Sequence, residues 1–409
     1  HNIELLLNYS PLESCELRKI YLDHNATTPV SREALDVMLP IFKDGFGNPS
    51  SVHSEGRAAR VRLDEAREQV AGLIGAQSSE VVFTSGGSES NNFAIFGTAF
   101  APDNNKRHIV TCEVEHAAIL NPLKQLEGQD FQVERLPVSR AGRVDPERVK
   151  NALTDATLLV TIQHANSEVG TLHDIARIGE CVRNKGILFH TDAVQSVGKV
   201  PIDVSNLPVD LLSMSSHKLY GPKGVGALFI RRGTPTLFSP VCGGGQEKKR
   251  RGGTENVPGI VGFGKACQMA KERIDRGELE RLTEMRDQLW EKIEQSVLGA
   301  ELFGCPDNRL PNTLSCGFEG ADGDTLLIAL DMEGISVSTG SACSSGTGMP
   351  SPVLTAMRVP VEKINSSIRF SLGWGNTLAD MDRVVKILAK AVQQNREKSP
   401  AYPQAGSID

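Results

Sequence analysis

The sequence predicts an α/β protein in which a large, mostly parallel-sheet domain is followed by a smaller α+β domain. Three observations carry that prediction. From about residue 30 to 275, short β-rich runs alternate with helical patterns and no long breaker segment intervenes. Those runs end in polar clusters. After about residue 276 the texture changes to a long charged helix, short strands and a closing helix. Strands separated by helical stretches imply parallel crossover units. In such sheets ligands collect beyond the carboxyl ends of the strands, so the polar clusters could converge on one crevice.

The elements follow in order. "VRLDEAREQVAGLI" (61–74) has apolar residues at helical spacing, and "EVVFTSGGSES" reads as strand, turn and helix start. "HIVTCEVEH", "TLLVTIQHANSEVG", "ILFHTDAVQS", "DLLSMSSHKLYG" and "GVGALFI" are further strands. "LERLTEMRDQLWEKIEQSV" (279–297) is a charged helix that precedes the strands "NTLSCGF" and "SSIRFSL", and "LADMDRVVKILAKAVQQNREK" closes the chain as a helix. The division expected is an N-terminal segment (1–27) packing with the small domain, a large domain (28–275) and a small domain (276–398). The tail from 399, "SPAYPQAGSID", is expected to be disordered.

Bulk properties narrow the function. A chain of 409 residues with net charge -6 argues against nucleic acid as the main partner. No apolar run approaches the roughly 18 residues that cross a bilayer, and the opening residues show no secretory signal. None of the eight cysteines is spaced as CxxC, so no metal site is expected. Scattered cysteines in a long chain read as a reduced, cytoplasmic protein whose thiols, Cys242 included, are mostly structural. Cys343 is the exception. It sits in "STGSACSSGTGMPSP" (338–352), which can neither hold a helix nor pack as a strand and is expected as a mobile surface loop.

Several strand ends carry residues that suit one chemistry. Lys218, at a strand end before a Gly-Pro turn and flanked by Ser215 and His217, could form an imine with an aldehyde if partly desolvated. An isolated lysine is more often a solvated surface residue. Gly87 and Ser88 open a helix, where free N–H groups and the helix dipole suit a phosphate; the plainer alternative is a capped helix start. Asp192, with Gln195 three residues on, could hold a pyridine nitrogen protonated, or simply cap a helix. His116 and Asn166 also follow strands. Arg369 lies in a strand as either a structural ion pair or a fork for a substrate carboxylate. Together, phosphate cradle, carboxylate, imine-forming lysine and carboxylate-binding arginine are the parts for pyridoxal phosphate acting on an amino acid.

The motifs "YLDHNATTP", "GNPSSVHSEGR", "HKLYGPKGVG", "RRGGTEN" and "TGSACSSG" stand in an order that resembles the NifS/IscS-type cysteine desulfurases. These are class V members of the fold-type I, aspartate aminotransferase-like pyridoxal-phosphate enzymes, and the resemblance runs over residues 21–377. It implies that Lys218 holds the cofactor as an internal aldimine, that His116 stacks on its ring and shuttles protons, that Asp192 pairs with the ring nitrogen and that Gln195 faces the phenolic oxygen. Gly87, Ser88, Ser215 and His217 would hold the phosphate, and Thr254 would reach the phosphate of a neighbouring subunit in a homodimer. Asn166 and Arg369 would bind L-cysteine, and Cys343 would take its sulfur as a persulfide. The sulfur would then pass to an iron–sulfur scaffold or another acceptor protein. The long cysteine loop is similar to the group with an extended segment. Two departures stand out: Gly87-Ser88 replaces a frequent Ala-Thr, and "QEKKRRGG" is more basic than the usual pattern.

Overall fold

The computed structural model describes residues 18–339 and 350–398. Cys343, most of the small-residue loop, Cys15 and the tail lie outside the described residues. Strand β1 (Ile20–Tyr21) comes first. Seven strands then form the large sheet: β2 (Val81–Thr84), β3 (His108–Cys112), β4 (Gln132–Leu136), β5 (Thr157–Thr161), β6 (Leu188–Asp192), β7 (Leu211–Ser215) and β8 (Gly226–Ile230). Their order is β2-β8-β7-β6-β5-β3-β4. β2, β3, β7 and β8 are buried at every position, as expected of strands covered on both faces. β4 is the edge strand, and its residues "QVERL" are mostly exposed or half-exposed. That polar texture hides it from a reading keyed to apolar runs.

One expectation needs correcting. "GVGALFI" forms a strand, but β8 runs antiparallel to both neighbours, β2 and β7. The connection from Ser215 to Gly226 contains only a 3-10 turn, Ser216–Lys218, and a parallel crossover needs about a dozen residues or more. The helix read from residue 61 also starts earlier, as Ser54–Leu73, because the His53 side chain accepts the Gly56 N–H at 3.3 Å and caps it there. The charged helix (Glu278–Ser296) and the closing helix (Leu378–Lys398) stand where expected.

A second group of strands comprises β9 (Ala300–Phe303), β10 (Thr313–Phe318), β11 (Ile335–Ser336), β12 (Ser338–Thr339) and β13 (Ser367–Ser371). β12, β13, β10 and β9 make an antiparallel sheet, while β11 pairs in parallel with β1. Ile20 and Leu22 are buried with Leu289, Phe318, Phe370 and Leu388 in a core separate from that of the large sheet. Burying an aliphatic or aromatic side chain there contributes about 1.5–3 kcal/mol each. The thiols Cys112, Cys267, Cys305 and Cys316 are core residues as expected, whereas Cys242 is exposed.

The buried histidines give the fold a pH dependence. Burial lowers His164 to about 4, His173 and His190 to about 3; His24 and His217, held down by burial and nearby lysines, lie at about 4. His190 is neutral between Thr161 Oγ1 (2.8 Å) and Ser213 Oγ (2.9 Å). As pH falls below 6.5, the unfolded chain binds protons at these five positions and the native chain does not, so stability is lost as pH falls towards 4. Glu115 and Glu168, raised by burial to about 8 and about 7, and Asp210, also raised by burial, work in the opposite sense, but the five histidines outnumber them. The thermal midpoint is therefore expected to rise between pH 4.5 and 6.5 by on the order of a few °C. A flat or falling profile in calorimetry over that range would contradict this assignment.

Candidate active site

All the large-sheet strands except β8 share one direction, so their carboxyl ends meet at one edge. A cavity of about 350 Å³ opens there. It is lined by Gly87, Ser88, His116, Asp192, Gln195, Ser215, His217, Lys218 and Arg369 of the expected set. Residues that sequence reasoning missed join them: Asn25, Asn91, Gln163 and Ser167. Asn25 stands in "YLDHNATTP" and Asn91 in "TSGGSESNN", so the motifs were visible although these roles were not.

The anionic end is built by Gly87–Ala99, a helix that starts directly beyond β2 with Gly86 as its N-cap. A Cβ on Gly87 would come within 2.7 Å of Val194 Cγ2, so an alanine here would need the Val194 side chain to shift. Ser215 ends β7 and is buried. His217 Nδ1 lies 3.1 Å from Thr27 Oγ1. Burial, then the charges of Lys218, Lys223 and Lys199, depress His217 to about 4, which leaves a neutral ring at physiological pH.

At the other end, Asp192 closes β6. Its Oδ2 accepts from Asn91 Nδ2 at 2.7 Å and its Oδ1 from the Val194 N–H at 3.0 Å. Asp192 begins a turn and caps no helix, so the plainer alternative falls away. Asn91 Oδ1 is a buried acceptor without a hydrogen bond. His116 caps the helix Ala117–Glu127, and its Nδ1 accepts the Ala118 N–H at 3.0 Å, which places the ring proton on Nε2. Lys218 Nζ donates to the backbone oxygens of Asn25 (2.5 Å) and Ala26 (2.7 Å).

Arg369, buried in β13, meets Asp23 Oδ1 at 2.7 Å and the Ser167 backbone oxygen at 3.1 Å. Each terminal nitrogen carries two N–H groups, so donors remain for a carboxylate. The Arg369 Nε is buried with no hydrogen bond.

One expected residue is placed differently. Asn166 is buried with its Nδ2 on the Val114 backbone oxygen (3.1 Å) and its Oδ1 on the N–H groups of Glu168 and Val169. It supports the turn that carries Ser167 and is not among the residues lining the cavity. Thr254 is exposed, as a residue expected to serve a neighbouring subunit must be, and does not line this chain's own cavity.

Glycine-cradled N–H groups, neutral His217, a fixed carboxylate and a primary amine fit a phosphorylated pyridine aldehyde end to end. Among the described residues no cluster could hold a metal ion.

Comparison with known proteins agrees. The class-V aminotransferase family profile matches residues 20–384. The cysteine desulfurase IscS of Dictyoglomus turgidum is 48% identical over 392 residues, covering 96% of this chain and 99% of that protein. The cysteine desulfurase IscS of Methanosarcina thermophila is 46% identical, with 96% of each chain covered. A solved NifS-like protein superposes with a TM-score of 0.86 at 36% identity, over 92% of this chain and all of that one. The mixed sheet, the cavity at its carboxyl edge and these relatives agree: the chain belongs to the pyridoxal-phosphate-dependent cysteine desulfurase family of the class-V aminotransferases.

Proposed function

We propose that this protein removes sulfur from L-cysteine, releases L-alanine and holds the sulfur as a persulfide on Cys343. The observation that carries the reading is the convergence of Lys218, Asp192, the Gly87–Ser88 helix start and Arg369 on one cavity. Bound pyridoxal phosphate supplies an electron sink for the substrate α-carbon. The chain's own groups do the rest. Lys218 would tether the cofactor, Asp192 would hold its ring nitrogen, Gln195 its phenolic oxygen, and Gly87, Ser88, Ser215 and His217 its phosphate. His116, whose Nδ1 is held by the Ala118 N–H, would cover the ring and move a proton at Nε2. Arg369 binds the substrate carboxylate, and Asn166 holds the turn beside it. The Cys343 thiolate attacks the substrate sulfur: the carbon–sulfur bond breaks, a sulfur–sulfur bond forms, and the carbon takes up a proton to become alanine.

The same reading makes the protein a homodimer in which Thr254 reaches the partner's phosphate. Leu35, Leu39 and Phe42 recur at helical spacing on Arg32–Asp44 and are 44%, 43% and 64% exposed; Phe46 and Val52 nearby are 82% and 87% exposed. Such a contiguous apolar face favours a protein partner. The persulfide passes to an iron–sulfur scaffold or another acceptor in the cytoplasm. Among the described residues no helix is long and apolar enough to cross a membrane. The divisions near residues 28 and 276 belong to this reading; it is supported by the second core, whose members all lie before 28 or after 276.

Mass spectrometry after incubation with L-cysteine tests the assignment. A gain of one sulfur atom on the peptide holding Cys343, lost in Cys343→Ser, is expected. A gain on Cys242 instead, or alanine formed at the full rate by Cys343→Ser, would place the nucleophile elsewhere.

A further inference from the structure

Behind the cavity wall lies a second lysine that the reaction does not use. Lys199 is buried, and its Nζ donates to Gln195 Oε1 and to Asn25 Oδ1, both at 3.0 Å. An amine of this kind offers donors, so it selects the oxygen end of each amide. Asn25 is oriented independently: its Nδ2 donates to the Ser167 backbone oxygen (3.1 Å) and to Thr313 Oγ1 (2.8 Å), which turns Oδ1 towards Lys199. With Oε1 on Lys199, the Gln195 Nε2 donates to the Asn25 backbone oxygen at 3.0 Å and keeps a second N–H on the side where Gln195 lines the cavity.

We propose that Lys199 is a positioning residue that locks the Gln195 amide with its N–H side towards the cavity, so that Gln195 can only donate to the cofactor's phenolic oxygen. The inference rests on the reading that Gln195 faces that oxygen. Without Lys199, Gln195 Oε1 is a buried acceptor with no donor, which drives the side chain to another arrangement. Burial and the neighbouring charges of Lys218 and Arg369 hold the Lys199 amine well below the usual lysine range, and a neutral amine still has two N–H groups for its two acceptors.

A donor on the phenolic oxygen stabilises its negative charge and eases loss of the proton on the neighbouring Lys218 nitrogen. The visible absorption band of the loaded enzyme reports that proton. Lys199→Met is expected to raise the midpoint of its pH titration by about 1 pH unit. Lys199→Gln, which restores an N–H donor to Gln195 Oε1 without the amine, is expected to return the midpoint most of the way to wild type. In a Gln195→Leu background, Lys199→Met should produce no further shift, because it acts through the missing amide. A midpoint unmoved by Lys199→Met, a Lys199→Gln value equal to that of Lys199→Met, or additive shifts in the double variant each overturns the proposal. Should Gln195→Leu alone leave the midpoint in place, it is the placement of Gln195 that fails, and the role of Lys199 falls with it. Thermal midpoints of all variants, measured in parallel, separate these shifts from loss of folding.

Discussion

Lys218→Ala is expected to yield a folded protein that no longer holds its cofactor covalently and has lost activity by roughly 10³-fold or more, the scale set by losing a group that acts as attachment point and proton carrier. Its amine donates to two backbone oxygens, of Asn25 and Ala26. Such hydrogen bonds are worth only about 0.5–1.5 kcal/mol each, which the fold can lose. The effect therefore falls on chemistry, with stability little changed. Borohydride reduction followed by peptide mapping reads the outcome directly. Cofactor trapped at wild-type yield in the variant would mean that another amine is the attachment point. The buried alternative, Lys199, is already committed to Gln195 and Asn25.

The largest stability effect is expected at Glu247, in the basic segment that departs from the family pattern. Its carboxylate takes both terminal nitrogens of Arg67, at 2.7 and 2.6 Å, and also accepts the Phe83 N–H at 3.0 Å. The Arg67 guanidinium lies 4.5 Å above the Phe83 ring. Glu247, Lys248 and Lys249 have φ of 45°, 57° and 64°, three successive non-glycine residues in the left-handed region. Each costs about 1–2 kcal/mol and persists only where surrounding contacts enforce it. Glu247→Ala removes that enforcement and leaves the nearly buried Arg67 charge with the Val81 backbone oxygen but no counter-charge, at a cost of about 3–5 kcal/mol. Urea unfolding measures it, and a loss below about 1 kcal/mol would show that the turn holds without the pair. Arg67→Met combined with Glu247→Leu should recover part of the loss, since no unpaired charge then remains. Because the turn leads to Thr254, its loosening is also expected to weaken phosphate binding in a dimer.

The chemistry was legible in the sequence because it is written locally. Gly87–Ser88, Asp192 and Lys218 each stand just beyond an apolar strand, and the order of strands and helices brings such positions to one edge of a sheet. Arg369 was legible as a charge within a strand, but its ion pair with Asp23 joins residues far apart in the chain. Strand β4 escaped notice because an edge strand does not need an apolar run. The reversal of β8 follows from a connection too short for a crossover, a signal present in the sequence but outweighed by the alternating pattern around it. The resemblance implied that Asn166 binds substrate; in the structure its Oδ1 closes a local turn onto Glu168 and Val169, and its Nδ2 meets the distant Val114 backbone oxygen.

By itself the sequence determined the fold class, the cavity's edge and the lysine, carboxylate and glycine–serine pair that line it. Periodicity and strand-end position are properties of neighbouring residues, and neighbouring residues are what a sequence displays. Tertiary structure alone decided which groups are oriented and which are held in place. Asn25 meets Lys199 and Lys218, Glu247 meets Arg67, and Asn91 meets Asp192, across long stretches of chain. A hydrogen bond's direction and a buried charge's cost depend on distances through space, and those exist only once the chain has folded.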